Sequence, residues 1–195
     1  MKIIGFCGSA RSGKDTLKTM IMDRIPSCHV YTISFADPLK DAAAQLLGMS
    51  RDELEKWKEN GEKIDGWGFT ARHFLQNLGT EGIRSVDSNF FIKHADKRVN
   101  RLFVPKLLAE NATVLVPDVR FQNEAEWIRN TPGGFLVHVK RPNNPAVTRA
   151  HQSEDIVPLL PYITHTVTNH EVSGWEDELA NWARTLIVQI YGRHA

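Results

Sequence analysis

The chain has 195 residues, 42% hydrophobic and 24% charged, an ordinary globular composition with enough length to bury its own core. Its 24 Lys and Arg against 23 Asp and Glu leave a formal charge of +1, which argues against a nucleic-acid coat protein or a polybasic membrane binder. Two cysteines, Cys7 and Cys28, exclude a disulfide scaffold and a cysteine-based zinc module. Both lie in apolar runs and read as reduced, buried thiols. No apolar stretch approaches a membrane span. The strand-like run at the amino terminus leaves no room for a signal peptide, so a cytoplasmic location is expected.

Lys2 to Cys7 is a short apolar run bounded by Gly8 and reads as a buried strand. A helix is expected over Asp15 to Arg24 and a strand over His29 to Phe35. Asp37-Pro38 reads as an N-cap followed by proline at the first helical position, opening a helix to about Leu47. Ser50 to Asn60 is a short charged helix, Gly61 to Phe69 a loop, and Thr70 the cap of a further helix that Gly79 is expected to interrupt. A helix follows over about Ser88 to Glu110, with strands at Thr113 to Val116, Phe135 to Lys140 and Ile163 to Thr168, and a last helix over Trp175 to Tyr191. Alternating helices and apolar strands imply a parallel sheet covered on both faces. The Pro- and Asn-rich stretch from Arg141 onward breaks that pattern and reads as an excursion from the core.

Gly8-Ser-Ala-Arg11-Ser-Gly13-Lys14-Asp15-Thr16 carries the strongest chemical signal. Two glycines and a lysine between a strand and a helix form a phosphate-binding loop. Glycines let backbone N–H groups turn inward, the helix N-terminus adds partial positive charge, and Lys14 reaches the outer phosphates. The residue after the lysine is ordinarily Ser or Thr, which holds magnesium; here it is Asp15, with the hydroxyl displaced to Thr16. Asp15 is a candidate magnesium ligand, direct or through water. The bland alternative is a glycine-rich turn capped at a helix start.

Asp118 ends the apolar strand Thr113 to Val116 after Pro117, the position from which a carboxylate orients a magnesium hydration shell. If the extended conformation continues, Arg120 projects to the same side; a surface Asp–Arg pair is the alternative. Asn123 and Glu124 read as a helix cap and a first-turn acid. Arg72, Gln76, Thr80 and Arg84 recur every four residues, on a helical stripe drifting roughly 40° per step. Two arginines, an amide and a hydroxyl suit a phosphate and a base edge, against the plainer reading of a solvated face. Phe35 is a candidate to stack a nucleobase and Lys40 to reach a phosphate, both following the second strand.

Lys140-Arg141-Pro142 closes the penultimate strand, and Arg149, His151, Ser153 and Glu154 follow it. Arginines on such a segment are candidates to neutralise a transferring phosphoryl group. Arg149 is open between that role and a plain surface loop, which is the reading for His151. Asn169 is either an adenine contact or a turn residue. The 8 histidines show no metal-ligand spacing.

The motifs Gly13-Lys-Asp-Thr16, Ser34-Phe-Ala-Asp-Pro-Leu-Lys40, Arg72-x-x-Leu75-Gln76-x-x-Gly79-Thr80-Glu81-x-x-Arg84 and Asp118-x-Arg120-Phe121-x-Asn123-Glu124 together resemble the deoxynucleoside monophosphate kinases of bacteriophages. The resemblance covers nearly the whole chain, and the Arg72 to Arg84 segment is its most discriminating piece. It implies an α/β fold of the P-loop NTPase type, three-layered with a parallel sheet. One domain over 1–195 is expected, with a helical monophosphate-binding region at about 36–90 and a short lid at about 141–156. It implies ATP with Mg2+ as donor and a deoxynucleoside 5′-monophosphate as acceptor. Lys14, Thr16 and the loop amides from Gly8 through Arg11 to Gly13 would then bind ATP, with Asp15 and Asp118 at the metal. Phe35, Arg72, Gln76, Arg84 and Arg120 would bind the acceptor, with Lys40 and Thr80 beside them, and Arg141 and Arg149 would act from the lid. No membrane or stable nucleic-acid partner is expected; a homodimer is a family-level expectation.

A phosphate monoester is largely dianionic near neutrality, its second pKa being about 6, so such an acceptor needs no strong base. A sequence rich in candidate arginines and without an obvious base fits in-line transfer of the γ-phosphoryl group. Two other readings compete. One is a P-loop kinase for another small acceptor, or for a hydroxyl on a modified DNA base, with Asp37 or Asp118 as base. The other is a nucleotide-binding switch that hydrolyses ATP slowly.

Overall fold

A computed structural model describes residues 1–26, 29–102, 112–142, 155–170 and 174–192. Arg149, and with it 143–154 of the expected lid, lies outside the described residues, as do Cys28 and the expected helix beyond Leu102. The chain divides into two compact units, residues 1–33 with 102–195, and residues 34–101.

The first unit is built on five parallel strands, β1 (Lys2–Cys7), β2 (Val30–Thr32), β3 (Thr113–Val116), β4 (Gly134–Lys140) and β5 (His165–Thr168), in the order β2-β3-β1-β4-β5. β1 is central, pairing Gly5 with Val116 on one side and Cys7 with His138 on the other. Its residues from Ile3 to Cys7 are all buried, as a strand covered on both faces requires. On one face Ile4, Phe6, Leu115, Val137 and Val167 pack against Leu17 and Ile21 of α1 (Lys14–Met22) and Leu179, Ala183 and Leu186 of the last helix (Trp175–Tyr191). On the other lies the helix Gln122–Asn130, whose Ile128 comes so close that a Cβ on Gly5 would stand 2.3 Å from its Cδ1. Helix, sheet and helix form three layers, the α/β class with a parallel sheet covered on both faces that the sequence implies.

Burial pushes the Cys7 thiol up to about 12, the inert thiol its apolar surroundings predict. β2 is shorter than the expected His29 to Phe35 run. After Ile33, whose N–H still donates to the Leu115 carbonyl at 3.0 Å, the chain turns toward a helix.

The second unit is helical, with α2 (Asp37–Leu47), α3 (Arg51–Asn60), α4 (Ala71–Gln76), a π-helical stretch (Asn77–Ile83), α5 (Arg84–Val86) and α6 (Phe90–Leu102). Ala43, Leu47, Leu54, Ile64, Ala71 and Leu75 form its buried core. Ser50 caps α3 through a reciprocal pair with Glu53, and Thr70 caps α4 by accepting from the His73 N–H at 3.1 Å.

Two expectations fail here. Asp37 is not the cap of α2. Ala36 holds that position, and the Asp37 side chain accepts from the Ser34 N–H at 3.4 Å. Gly79 does not interrupt its helix; the backbone runs on as a π-helix through it. A Cβ there would stand 2.8 Å from Leu39 Cδ2, so the glycine serves close approach to α2.

Candidate functional site

The described site positions of the first unit gather after the carboxyl ends of its strands, the edge at which open α/β sheets bind ligands. Gly8 to Gly13 follows β1, Asp118 and Arg120 follow β3, Arg141 follows β4 and Asn169 follows β5.

The loop's shape comes from three left-handed residues, Gly8 (φ 135°), Arg11 (φ 58°) and Gly13 (φ 101°). At Gly8 a Cβ would meet the Val139 carbonyl oxygen at 2.3 Å, so no other residue fits against β4. Lys14 Nζ donates to the carbonyls of Gly8 at 2.8 Å and Ser9 at 2.6 Å, which arches the ammonium over the loop. Arg141 Nη1 donates to the Arg11 carbonyl at 2.7 Å, and Asn169 Nδ2 to the Ser12 carbonyl at 3.1 Å. Ser12 Oγ is buried and has no hydrogen-bond partner among the described residues.

These groups surround a cavity of about 230 Å³. Arg11, Lys14 and Arg141 supply three cations against the one carboxylate of Asp15. Gly13, Thr16, Asn169 and Trp175 complete the lining with Ser12. Cationic side chains, a helix N-terminus and an indole lining one cavity suit a polyphosphate carrying an aromatic base. Trp175 is not among the residues that motif or spacing singles out. The available signal was its place, first residue of the helix after the strand that leads to Asn169.

Asp15 is 85% exposed in its side chain and pairs loosely with Lys18 at 3.7 Å. Asp118 is half-buried, in a turn directly after β3. That turn removes the condition on which Asp118 and Arg120 were expected to share a side. The extended backbone ends at Val116, and alternation with period two does not apply beyond it. Arg120 is placed instead by Glu124, which is 1% exposed and accepts from the N–H groups of Arg120 at 2.7 Å and Phe121 at 3.0 Å. Phe121, not Asn123, is the N-cap of this helix. Among the described residues no three His, Cys, Asp or Glu side chains are grouped to hold a metal.

In the second unit Arg72, Gln76, Thr80 and Arg84 lie along one continuous helical run from α4 into α5. Arg72 is exposed and the other three half-buried. The Arg84 guanidinium lies 4.8 Å from the Phe91 ring centroid, and its Nη1 donates to the Ser88 carbonyl at 3.1 Å. Phe35 is 2% exposed. Lys40 is ion-paired with Glu55, in a network that also joins Arg51 to Asp37 and Asp41 and Arg98 to Asp37.

No family model matches the chain. A protein of Acanthamoeba polyphaga mimivirus named as a deoxynucleotide monophosphate kinase is 35% identical over 154 residues, which span 73% of this chain and 75% of that one. The deoxynucleoside-5′-monophosphate kinase of Escherichia phage T5 is 24% identical, with 86% of this chain and 89% of that one covered. Among solved structures, a dephospho-CoA kinase from Campylobacter jejuni is 16% identical with a TM-score of 0.46, covering 97% of both chains.

Proposed function

The chain belongs to the deoxynucleoside monophosphate kinases, and we propose that it transfers the γ-phosphoryl group of ATP in line to a deoxynucleoside 5′-monophosphate, giving a diphosphate. The cationic cavity on the phosphate loop carries the donor half of this reading. Three cations with one acid, inward-turned glycine amides and Lys14 at the head of α1 form a site for a chain of phosphates. Trp175 offers the indole face against which an adenine packs.

Magnesium fits the oxygen donors present. Asp15 would hold it directly or through water and Asp118 would orient its hydration shell, with Thr16 donating to an inner phosphate, as a hard cation bound by few protein groups and by phosphate requires. When bound it would neutralise charge on the outer phosphates. The acceptor would lie on the Arg72, Gln76, Thr80 and Arg84 run, and Arg120 is proposed as a further acceptor-binding residue. Lys40 and Phe35 would support that region, Lys40 by holding α2 to α3 through Glu55. Arg141 would neutralise the transferring group, joined by Arg149.

The acceptor oxygen is ionised before reaction, so the protein's tasks are alignment and charge neutralisation. Single in-line displacement inverts configuration at phosphorus. Transfer from ATP made chiral at the γ-phosphorus therefore tests the mechanism: inversion is expected, and retention would demand a phosphorylated enzyme intermediate that this reading does not contain. The Arg72 to Arg84 run favours an enzyme with a second phosphate-bearing substrate over a switch ATPase, because a switch has no use for a second cationic stripe.

A further inference from the structure

We infer that Asn169 is a positioning residue for the phosphate loop and does not read the donor's base; this rests on the donor site proposed above. Its backbone N–H donates to the Lys140 carbonyl at 2.8 Å, continuing the β4–β5 pairing by one residue and fixing where the side chain starts. Its Nδ2 donates to the Ser12 carbonyl at 3.1 Å across 157 residues of chain. The residue is 4% exposed, so almost none of its surface is left to meet a nucleobase.

The hydrogen bond acts on the loop through peptide geometry. The Ser12 carbonyl and the Gly13 N–H belong to one trans peptide plane and point in opposite directions. Holding the carbonyl against β5 therefore turns the Gly13 N–H away from Asn169. The preceding carbonyl, that of Arg11, is held by Arg141 at 2.7 Å, at the residue whose left-handed φ costs the loop most. Gly13 and Asn169 also share one space, since a Cβ on Gly13 would stand 2.9 Å from Asn169 Nδ2. Two consecutive loop carbonyls are thus clamped by residues at the ends of β4 and β5, and the amide orientation that a phosphate chain needs is set before the phosphates arrive.

A base reader and a loop clamp respond differently to a ligand with no base. Wild type, Asn169→Asp and Asn169→Ser are titrated with ATP, GTP and inorganic tripolyphosphate by calorimetry, with thermal midpoints and the acceptor KM recorded alongside. The Asp variant keeps the shape but sets an acceptor against the Ser12 carbonyl. The Ser variant removes the amide without adding charge and carries the test should the Asp variant fail to fold. The expected result is a common weakening of about tenfold for all three ligands, the cost of a buried carbonyl left unpaired. The ATP-to-GTP ratio and the acceptor KM stay at their wild-type values. Unchanged tripolyphosphate binding, or a shifted ATP-to-GTP ratio, overturns the inference and returns Asn169 to the base. A wild-type protein that binds neither ATP nor tripolyphosphate overturns the donor site itself, and the clamp with it.

Discussion

Asp37 accepts a hydrogen bond from Arg98 Nη1 at 2.7 Å, joining residues 61 positions apart. The same carboxylate accepts from Arg51 Nη2 at 3.2 Å, so one acid at the start of α2 ties together α2, α3 and α6. Burial alone would raise its pKa, but the hydrogen bonds from Arg98 and Arg51 outweigh it and hold the carboxyl below its ordinary value. A depressed folded pKa contributes stability that is complete above the ordinary value and is lost as pH falls through the folded one. Urea midpoints should therefore fall more steeply in wild type than in Asp37→Asn below about pH 4. At pH 7 the variant should be the less stable of the two. Parallel acid limbs would show that Asp37 contributes nothing to this unit.

Lys14 is held by two loop carbonyls and packs no core, so Lys14→Ala should leave the thermal midpoint near wild type. Turnover should fall by about a thousandfold, the upper range for losing one preorganised charge-stabilising donor. Steady-state kinetics at saturating substrates, with calorimetry on the same sample, separates the two effects. Near-wild-type turnover would remove the loop from the chemistry.

Arg120 and Glu124 should separate in the opposite way. Glu124→Ala leaves the Arg120 and Phe121 N–H groups without their buried acceptor and should cost about 2 kcal/mol in chemical denaturation, with a loss of turnover as Arg120 loosens. Arg120→Ala should abolish transfer at little cost in stability. Equal stability losses in the two variants would assign Arg120 to packing.

Trp175 lines the cavity beside Asn169. Trp175→Leu keeps an apolar side chain against the core but removes the flat face, and should raise the donor KM several-fold while leaving the acceptor KM unchanged. A change confined to the acceptor KM would move the indole out of the donor site.

Much of this was legible from residue order. β1 and the loop from Gly8 to Thr16 stand where the glycines and Lys14 place them, because the signal is local: a buried apolar run, a tight turn and a helix start. The last helix, Trp175–Tyr191, matches its expected bounds. What escaped were relationships between distant segments. Asp37 reads locally as a cap, since Asp before Pro at a helix start ordinarily is one. Its arginine partners lie 14 and 61 residues away. Gly79 reads as a breaker until Leu39 is seen against it. Asn169 reads as either an adenine contact or a turn residue at a strand end, and its hydrogen bond to the Ser12 carbonyl, 157 residues away, has no local signal. The Pro117–Asp118 turn broke an alternation that the preceding strand invited.

The central claim is that this kinase uses ATP to phosphorylate a deoxynucleoside monophosphate. It is tested most directly by coupled detection of ADP from ATP and magnesium, with each ribo- and deoxynucleoside 5′-monophosphate supplied in turn and Lys14→Ala as the control. The account predicts ADP release only with an acceptor present, strongest with one or more deoxynucleoside monophosphates, matched mole for mole by the diphosphate and absent in the control. ADP release at the same rate without any monophosphate would contradict it.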